Sequence, residues 1–177
     1  EAGKISLNYR SRLATLKVEH KSEKDLVSEA DFQIEKFLFA QIAKKFPNHG
    51  GLGEEFGSKK GNEYRWIIDP IDGTVSFVRG MPDYSISIGL EKSGQMILGA
   101  VFAPALQELF IAERGKGATL NDEPIQVSQR HKLSESIMGT GFACIRGDFI
   151  PDNQYYFPKF LPNLFEMRRL GSAASGV

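Results

Sequence analysis

"WIIDPIDGTVSFVRGMP", residues 66–82, joins an apolar strand pattern to two carboxylates and a glycine turn. Three apolar residues lead directly into Asp69, and Pro70 and Ile71 separate that residue from Asp72. Because a buried carboxylate without a partner costs free energy, this arrangement predicts a cation close to both side chains. Pro70 fixes its own φ, so we expect a rigid turn that lets Asp69 and Asp72 converge on one point.

The chain before this stretch favours helices. Residues 2–18 carry apolar side chains at loosely helical spacing, which predicts a first helix. Residues 28–46 predict a second helix, which Pro47 ends. Ser28, with Asp31 three residues later, resembles a capping box in which Asp replaces the usual Glu. The side chains expected on the buried face of this second helix are Ile34, Phe37, Leu38, Ile42 and Phe46.

The chain from Tyr64 onward favours strands, the first of them ending at Asp69. Residues 153–165 are expected to be helical in part, and residues 167–177 to form a strand that leads into a new helix. This order predicts an α+β fold with mostly antiparallel strands. The remaining predicted strands cover residues 84–92 and 96–104, which form a hairpin, and then 108–113, 115–127 and 136–142.

Composition excludes several classes of protein. The chain has 177 residues, 41% hydrophobic and 25% charged, with 22 basic and 22 acidic residues and no formal net charge. These values are typical of a globular protein and give no basic face for nucleic acid. The single cysteine, Cys144, cannot form an internal disulfide, and no Cys/His pair has zinc-ligand spacing. No apolar run is long enough to span a membrane, and no signal peptide is evident. We therefore expect a cytoplasmic protein without membrane or nucleic-acid partners.

Three acidic clusters are candidate metal ligands: Asp31, the pair Glu54-Glu55, and Asp69 with Asp72. Singly, each has an ordinary structural interpretation, as a residue of a first helical turn, a solvated loop and a Pro-Asp-Gly turn. Together they form an oxygen-only set without His or Cys. Such a set suits a hard cation such as Mg²⁺.

The residues beside Asp72 favour phosphate chemistry. The carbonyl of Ile71 is free to serve as a further metal ligand, and Gly73-Thr74 opens a short helix. The N–H groups at such a helix N-terminus can bind a phosphate. Metal carboxylates next to a phosphate cradle predict a metal-assisted phosphoryl site.

Several segments resemble the signature of the inositol monophosphatase family of magnesium-dependent, lithium-sensitive sugar-phosphate phosphatases. They are GEE at 53–55, WIIDPIDGTVSF at 66–77 and MPDYSISIGL at 81–90. DLVSEAD at 25–31 is similar to the VTxAD segment of that family, and RRLGSAA at 168–174 to a strand-to-helix junction in its second domain. The resemblance implies a layered α-β-α-β-α sandwich. Residues 1–140 would form an N-terminal α+β metal-binding domain, and 141–177 the incomplete start of a C-terminal α/β domain.

The resemblance also implies a metal site. Glu54, Asp69 and the Ile71 carbonyl would hold one Mg²⁺, and Asp69 would bridge to a second ion that Asp72 also binds. Two or more ions are expected, with Mn²⁺ able to substitute. Glu55 would be an acidic neighbour rather than a principal ligand.

The catalytic and substrate residues are implied in the same way. Thr74 and Asp31, together with the ligand Glu54, would orient and deprotonate a metal-activated water that attacks phosphorus directly. Phosphate would be held by the Ile71–Thr74 loop, that is, by Ile71, Asp72, Gly73 and Thr74. The alcohol part of the substrate would contact Arg168, Gly171, Ser172 and Ala173.

Two departures from the family pattern qualify this interpretation. Ser76 stands where the family usually has Asn. A Trp-Asp motif that completes the second metal site in the family is absent, since the only tryptophan is Trp66 and the chain ends at Val177. We therefore expect a fragment of a longer protein.

The resemblance leaves the substrate and the alternative function open. The family acts on small phosphorylated polyols or sugars, among them inositol phosphates, fructose 1,6-bisphosphate, histidinol phosphate and nucleotide bisphosphates. Its members are commonly homodimers. The alternative to a phosphatase is a low-activity or non-catalytic metal- and phosphate-binding module of the same fold.

Overall fold

A computed structural model describes residues 1–22, 25–141 and 153–174. The helices are α1 (Ala2–Arg10), α2 (Glu29–Lys45), α3 (Thr74–Val78) and α4 (Asn153–Phe160). The strands of the first half are β1 (Val18–Ser22), β2 (Asp25–Ser28), β3 (Gly50–Gly53), β4 (Ser58–Lys59), β5 (Tyr64–Asp72) and β6 (Ser85–Lys92). The others are β7 (Gln95–Ala103), β8 (Glu108–Glu113), β9 (Gly117–Leu120), β10 (Glu123–Ile125), β11 (Ile137–Thr140) and β12 (Glu166–Arg169).

Helix α1 is shorter than the sequence predicts. It ends at Arg10, a single 3₁₀ turn covers Leu13–Thr15, and the chain is extended from Val18. Strand β1 pairs antiparallel with β2, so that Val18 lies opposite Ser28. Tertiary pairing and the strand preference of β-branched residues therefore override the weak helical spacing after residue 10.

Helix α2 confirms the predicted capping box. Ser28 is the N-cap, and its backbone N–H and its hydroxyl both donate to Asp31 Oδ2, at 2.8 and 2.6 Å. The predicted buried face is only partly correct, because Ile34 is fully buried whereas Phe46 is 40% exposed. The residues of α2 that are fully buried are Ala30, Asp31, Ile34 and Glu35. Two carboxylates thus lie on the most buried stripe of the helix.

Eight strands form one mixed sheet in the order β10-β9-β8-β7-β6-β5-β3-β4. Strands β3 and β5 are parallel and the other neighbours are antiparallel, as the sequence predicts for most of them. The β6–β7 hairpin turns through Ser93 and Gly94, which both have positive φ (49° and 84°). Such a turn matches the twist of the paired strands.

Strand β5 does not end at Asp69 but continues to Asp72, and its register with β6 is irregular between these residues. Pro70 has no N–H to donate to the neighbouring strand. This accounts for the irregular register, although the strand itself continues. The core beside this irregularity contains Ile71 from β5, Ile34 from α2, and the edge-to-face pair Phe77 and Tyr84, whose ring centroids are 5.0 Å apart. Helix α2 packs on β5, and one of its buried carboxylates, Asp31, contacts Thr74 just after the end of that strand.

The last described elements agree with the predicted mixture. Helix α4 contains Pro158 and is followed by a 3₁₀ turn, Leu161–Asn163. Strands β11 and β12 form a separate parallel pair. The helix predicted after residue 174 and Cys144 lie outside the described residues, and the domain boundary at 140 stays a prediction. Among the helices of the described ranges, none is long and apolar enough to cross a membrane.

Candidate active site

Asp31 and Thr74 meet although they are 43 residues apart. Asp31 Oδ1 lies 3.5 Å from Thr74 Oγ1, and that hydroxyl also lies 3.1 Å from the carbonyl oxygen of Ile71. The other Asp31 oxygen, Oδ2, accepts both hydrogen bonds from Ser28. The N-cap therefore fixes the carboxylate, and its free oxygen is directed at the threonine.

The surroundings of Asp31 favour its neutral form. Its pKa is raised to about 6: burial is the main cause, the hydrogen bonds from Ser28 oppose the shift, and the charges of Glu55 and Glu54 contribute to it. A carboxyl with a pKa near 6 can exchange a proton near neutral pH, as a general base must. The predicted partnership of Asp31 and Thr74 is thus geometrically present, while the catalytic role stays a prediction.

Asp69, on β5, has a buried oxygen that nothing satisfies. Among the described residues, its Oδ1 has no hydrogen-bond partner. Burial, the charges of Glu54 and Asp72 and a hydrogen bond with Glu54 together raise the pKa of Asp69 to about 8, with burial the largest cause. A buried acceptor without a donor is costly, and a cation would relieve both the missing contact and the repulsion. The donor set therefore fits a hard metal ion.

The predicted metal ligands lie in one region, but their side chains do not form a metal-binding cluster among the described residues. Across residues 1–22, 25–141 and 153–174, no three His, Cys, Asp or Glu side chains are placed to hold a metal ion together. Glu54 and Asp72 act on Asp69 through their charges. Because neighbouring negative charges raise the pKa of Asp69, a cation among these carboxylates would favour its charged form.

Asp72 is held by the far end of the chain. Its Oδ2 accepts hydrogen bonds from Ser172 Oγ and from the Ala174 N–H, both at 2.6 Å. Ser172 Oγ also lies 2.9 Å from Ser85 Oγ. Since the Ser172 proton is given to Asp72, the Ser85 hydroxyl donates to Ser172. One carboxylate oxygen of Asp72 is thereby committed, and the other remains for a ligand.

Gly73 packs closely against both Asp83 and Gly171. Its φ of 94° is in the left-handed region, and an added Cβ would lie 2.9 Å from the Asp83 carbonyl oxygen and 3.2 Å from Gly171. Glycine is therefore required both by conformation and by space. Gly171 packs equally closely, because a Cβ there would overlap Ser76 Oγ. Ser76 is 5% exposed, so it is a buried contact for the 171–174 segment.

The predicted substrate residues fall into different environments. Ser172 is buried beneath Asp72, whereas Gly171 and Ala173 are exposed. Arg168 has a side chain that is 62% exposed and forms an ion pair with Glu166 at 2.7 Å. The assignment of these residues to a substrate pocket stays a prediction.

Glu35 is a site residue that the sequence analysis missed. It is fully buried, and its carboxylate accepts hydrogen bonds from the N–H groups of Glu55 and Phe56, both at 2.9 Å. It occurs one helical turn after Asp31 on the same face of α2. That i, i+4 pairing is the signal that could have revealed it, but a Glu in a charged helix is usually assigned to the surface.

A concave region lies between α2 and the residues that flank the acidic loop. This cavity of about 410 Å³ is lined by α2 and by residues 49–51 and 56–59, including Phe39 and Phe56, with Lys36 and Lys59. It contains none of the predicted metal ligands.

Comparison with known sequences finds relatives in the inositol monophosphatase family. The sequence profile of the inositol monophosphatase family matches residues 1–177. An inositol-1-monophosphatase of Mesorhizobium japonicum is 36% identical over 98% of this chain and 66% of its own length. A Nus factor SuhB of Xylella fastidiosa is 36% identical over 98% of this chain and 63% of its own. A histidinol-phosphatase of Chlorobaculum parvum is 49% identical over 72% of this chain and 49% of its own.

Solved structures match over nearly the whole chain. The suhB protein of Bartonella henselae has a TM-score of 0.92 at 34% identity, covering 99% of this chain and 68% of its own. An inositol monophosphatase of Thermotoga maritima has a TM-score of 0.86 at 34% identity, covering 99% and 66%. An IMPase/NADP phosphatase complexed with Mg²⁺ and phosphate has a TM-score of 0.77 at 26% identity, covering 96% and 63%.

The chain spans about half to two thirds of the length of the curated relatives that it matches. Over that span it has the layered α/β fold of the solved inositol monophosphatases. The profile match covers every residue of the chain. The chain therefore belongs to the inositol monophosphatase family.

Proposed function

We propose that the protein is a Mg²⁺-dependent phosphatase that hydrolyses the phosphate monoester of a small polyol or sugar. The observation that carries this proposal is the buried, unsatisfied Oδ1 of Asp69, which lies among the charges of Glu54, Asp72 and Asp31. Relatives that are phosphatases, and a neighbour complexed with Mg²⁺ and phosphate, support the reaction class.

Glu54, Asp69, the Ile71 carbonyl and Asp72 would hold the metal. When bound, Mg²⁺ would neutralise the charge of the phosphoryl group and make an attacking water more acidic. We propose two or more ions, as the predicted ligand set implies, with Mn²⁺ as a substitute. A staphylococcal relative in an inhibitory complex with LiCl supports a proposal of lithium sensitivity.

The protein residues supply position and a proton acceptor. Thr74 Oγ1 lies between the Ile71 carbonyl and Asp31 Oδ1, so Asp31 can take a proton that passes through the Thr74 hydroxyl. Gly73, with its left-handed backbone, presents the N-terminus of α3 beside Asp72, where we propose that phosphate binds. Because phosphoryl transfer has a loose transition state, orientation and charge account for most of the expected catalysis. No covalent intermediate is required.

The test is phosphate release by the full-length protein with Asp69→Asn. Asparagine keeps the shape of the side chain but removes the charge that a cation needs. We expect Mg²⁺-dependent release from inositol, histidinol and sugar phosphates to fall at least about 100-fold. Glu123→Gln, which removes an exposed carboxylate on β10 at the far edge of the sheet, is the matched control. Near-normal turnover by Asp69→Asn would sink the proposal.

A second candidate function is a binding module of the same fold with little or no catalysis. Relatives named Nus factor SuhB, which match 98% of this chain, favour it. A nucleic-acid-associated role then becomes a proposal, contrary to the expectation from charge alone. The two proposals are separated by measuring phosphate release and Mn²⁺ binding on the same wild-type preparation, since only the phosphatase requires turnover.

A further inference from the structure

Glu35 is a buried carboxylate that the proposed reaction does not use. Its side chain is fully buried, yet both oxygens are engaged, Oε2 by the Glu55 N–H and Oε1 by the Phe56 N–H. Each bond is 2.9 Å long, which is normal for a charge-assisted hydrogen bond. These two donors belong to the residues that directly follow Glu54, the proposed metal ligand.

The loop is shaped to receive this carboxylate from the other side as well. An added Cβ on Gly53 would overlap the Glu35 carboxyl group and lie 2.8 Å from the Phe39 ring. The φ of Gly53 is not positive, so space rather than backbone conformation calls for glycine here. The residue before Glu54 and the two residues after it therefore all contact Glu35.

The geometry points to Glu35 as a positioning residue that fixes the 53–56 loop and presents Glu54 to the metal ion. This inference rests on the proposed function, because it assumes that Glu54 is a ligand. Helix α2 then supports the site twice, since Asp31 meets Thr74 from one turn and Glu35 holds the ligand loop from the next. A hydrogen-bonded partner behind a metal ligand usually affects metal affinity strongly.

The decisive variant is Glu35→Gln in the full-length protein. Glutamine has the same shape but only one acceptor oxygen, so its NH₂ group would oppose one of the two backbone N–H donors. We expect Mn²⁺ affinity, measured by calorimetry with the metal alone, to fall about 10–100-fold. Amide hydrogen exchange at Glu55 and Phe56 should become faster in the metal-free protein. Saturating metal should restore most of kcat, because Glu35 touches neither substrate nor reacting atoms.

Controls separate this inference from general destabilisation. Glu123→Gln, with the same loss of charge on β10, should leave Mn²⁺ affinity and both exchange rates at their wild-type values. Should Glu35→Gln fail to fold, Gly53→Ala tests the same contact with the carboxylate retained. It should reproduce the lower affinity and the faster exchange, since its new methyl group displaces Glu35.

The outcomes are distinguishable from failure of the proposed function. Wild-type Mn²⁺ affinity and wild-type exchange at Glu55 and Phe56 in either variant would overturn the positioning role alone. Faster exchange with unchanged Mn²⁺ affinity would overturn it too, since the contact would then be only structural. A wild-type protein that neither binds Mn²⁺ nor releases phosphate would instead overturn the proposed function and, with it, the role of Glu35.

Discussion

The buried carboxylates of α2 and those at the end of β5 differ in how the protein satisfies them. On α2, Asp31 accepts two hydrogen bonds from Ser28, and Glu35 accepts one from each of two loop amides. On β5, by contrast, Asp69 keeps an unsatisfied buried oxygen beside other acidic groups. The carboxylates of the helix are thus satisfied by hydrogen bonds within the protein. The carboxylate of the strand has an oxygen that a bound cation would satisfy.

From this contrast we propose which residues support the site and which bind its ligand. A carboxylate already saturated by donors holds its neighbours in place and has little left for a metal. A carboxylate without donors is costly to the folded protein and gains most from a cation. Asp72 is intermediate, with one oxygen held by Ser172 and Ala174.

The largest effect is expected from Asp31→Asn, which tests whether the α2 carboxylate also takes part in proton transfer. The variant can still accept from Ser28, so the fold should persist, but it cannot accept a proton through Thr74. We expect kcat to fall about 10²–10⁴-fold with Mn²⁺ affinity nearly unchanged. Steady-state kinetics and calorimetry measure the two quantities. If kcat is unchanged, Asp31 only supports the site and takes no part in proton transfer.

The second effect concerns Asp72, whose intermediate position depends on Ser172. Ser172→Ala removes the 2.6 Å hydrogen bond to Oδ2 while the bond from the Ala174 N–H remains. We expect a loss of about 10–100-fold in Mn²⁺ affinity, because the ligand loses part of its orientation. Ser136→Ala, at a half-buried serine whose hydroxyl donates to the Lys132 carbonyl, is a matched control away from the site. Equal affinities for the two variants would place Ser172 outside the metal site.

The smallest effect is on stability and follows from the raised pKa of Asp69. A carboxyl whose folded pKa lies above its unfolded value stabilises the fold at low pH and loses that contribution as pH rises through the folded pKa. For Asp69 the window runs from about pH 4 to about pH 8. With EDTA present, Asp69→Asn should therefore become progressively more stable than wild type as pH rises through this window.

Thermal unfolding of both proteins at pH 5 and pH 8, with EDTA and with Mg²⁺, measures this difference. Mg²⁺ should cancel or reverse it, because the charge of wild-type Asp69 is then compensated. If the difference in stability between the two proteins depends on neither pH nor Mg²⁺, Asp69 does not differ from the satisfied carboxylates of α2.

Local signals were sufficient wherever neighbouring residues decide the structure. The Ser28–Asp31 capping box, the β6–β7 hairpin and the strand that contains Asp69 follow from short motifs whose partners are close in sequence. The first helix was predicted too long because pairing of β1 with β2 competes with helical spacing. The true end of β5 was missed because proline usually indicates a break, whereas here the strand absorbs it as an irregularity.

The sequence by itself determined which groups we propose for the chemistry: the carboxylates at 54, 69 and 72, the Gly73-Thr74 pair, and Asp31 upstream. Motif spacing is enough for this because metal and phosphate chemistry restrict the residue types. Only the tertiary structure decided which carboxylates are satisfied. Tertiary packing gave Glu35 its two loop donors, brought Ser172 to Asp72, and left Oδ1 of Asp69 without a donor. Hydrogen-bond partners far apart in sequence are set by packing, and no local pattern encodes them.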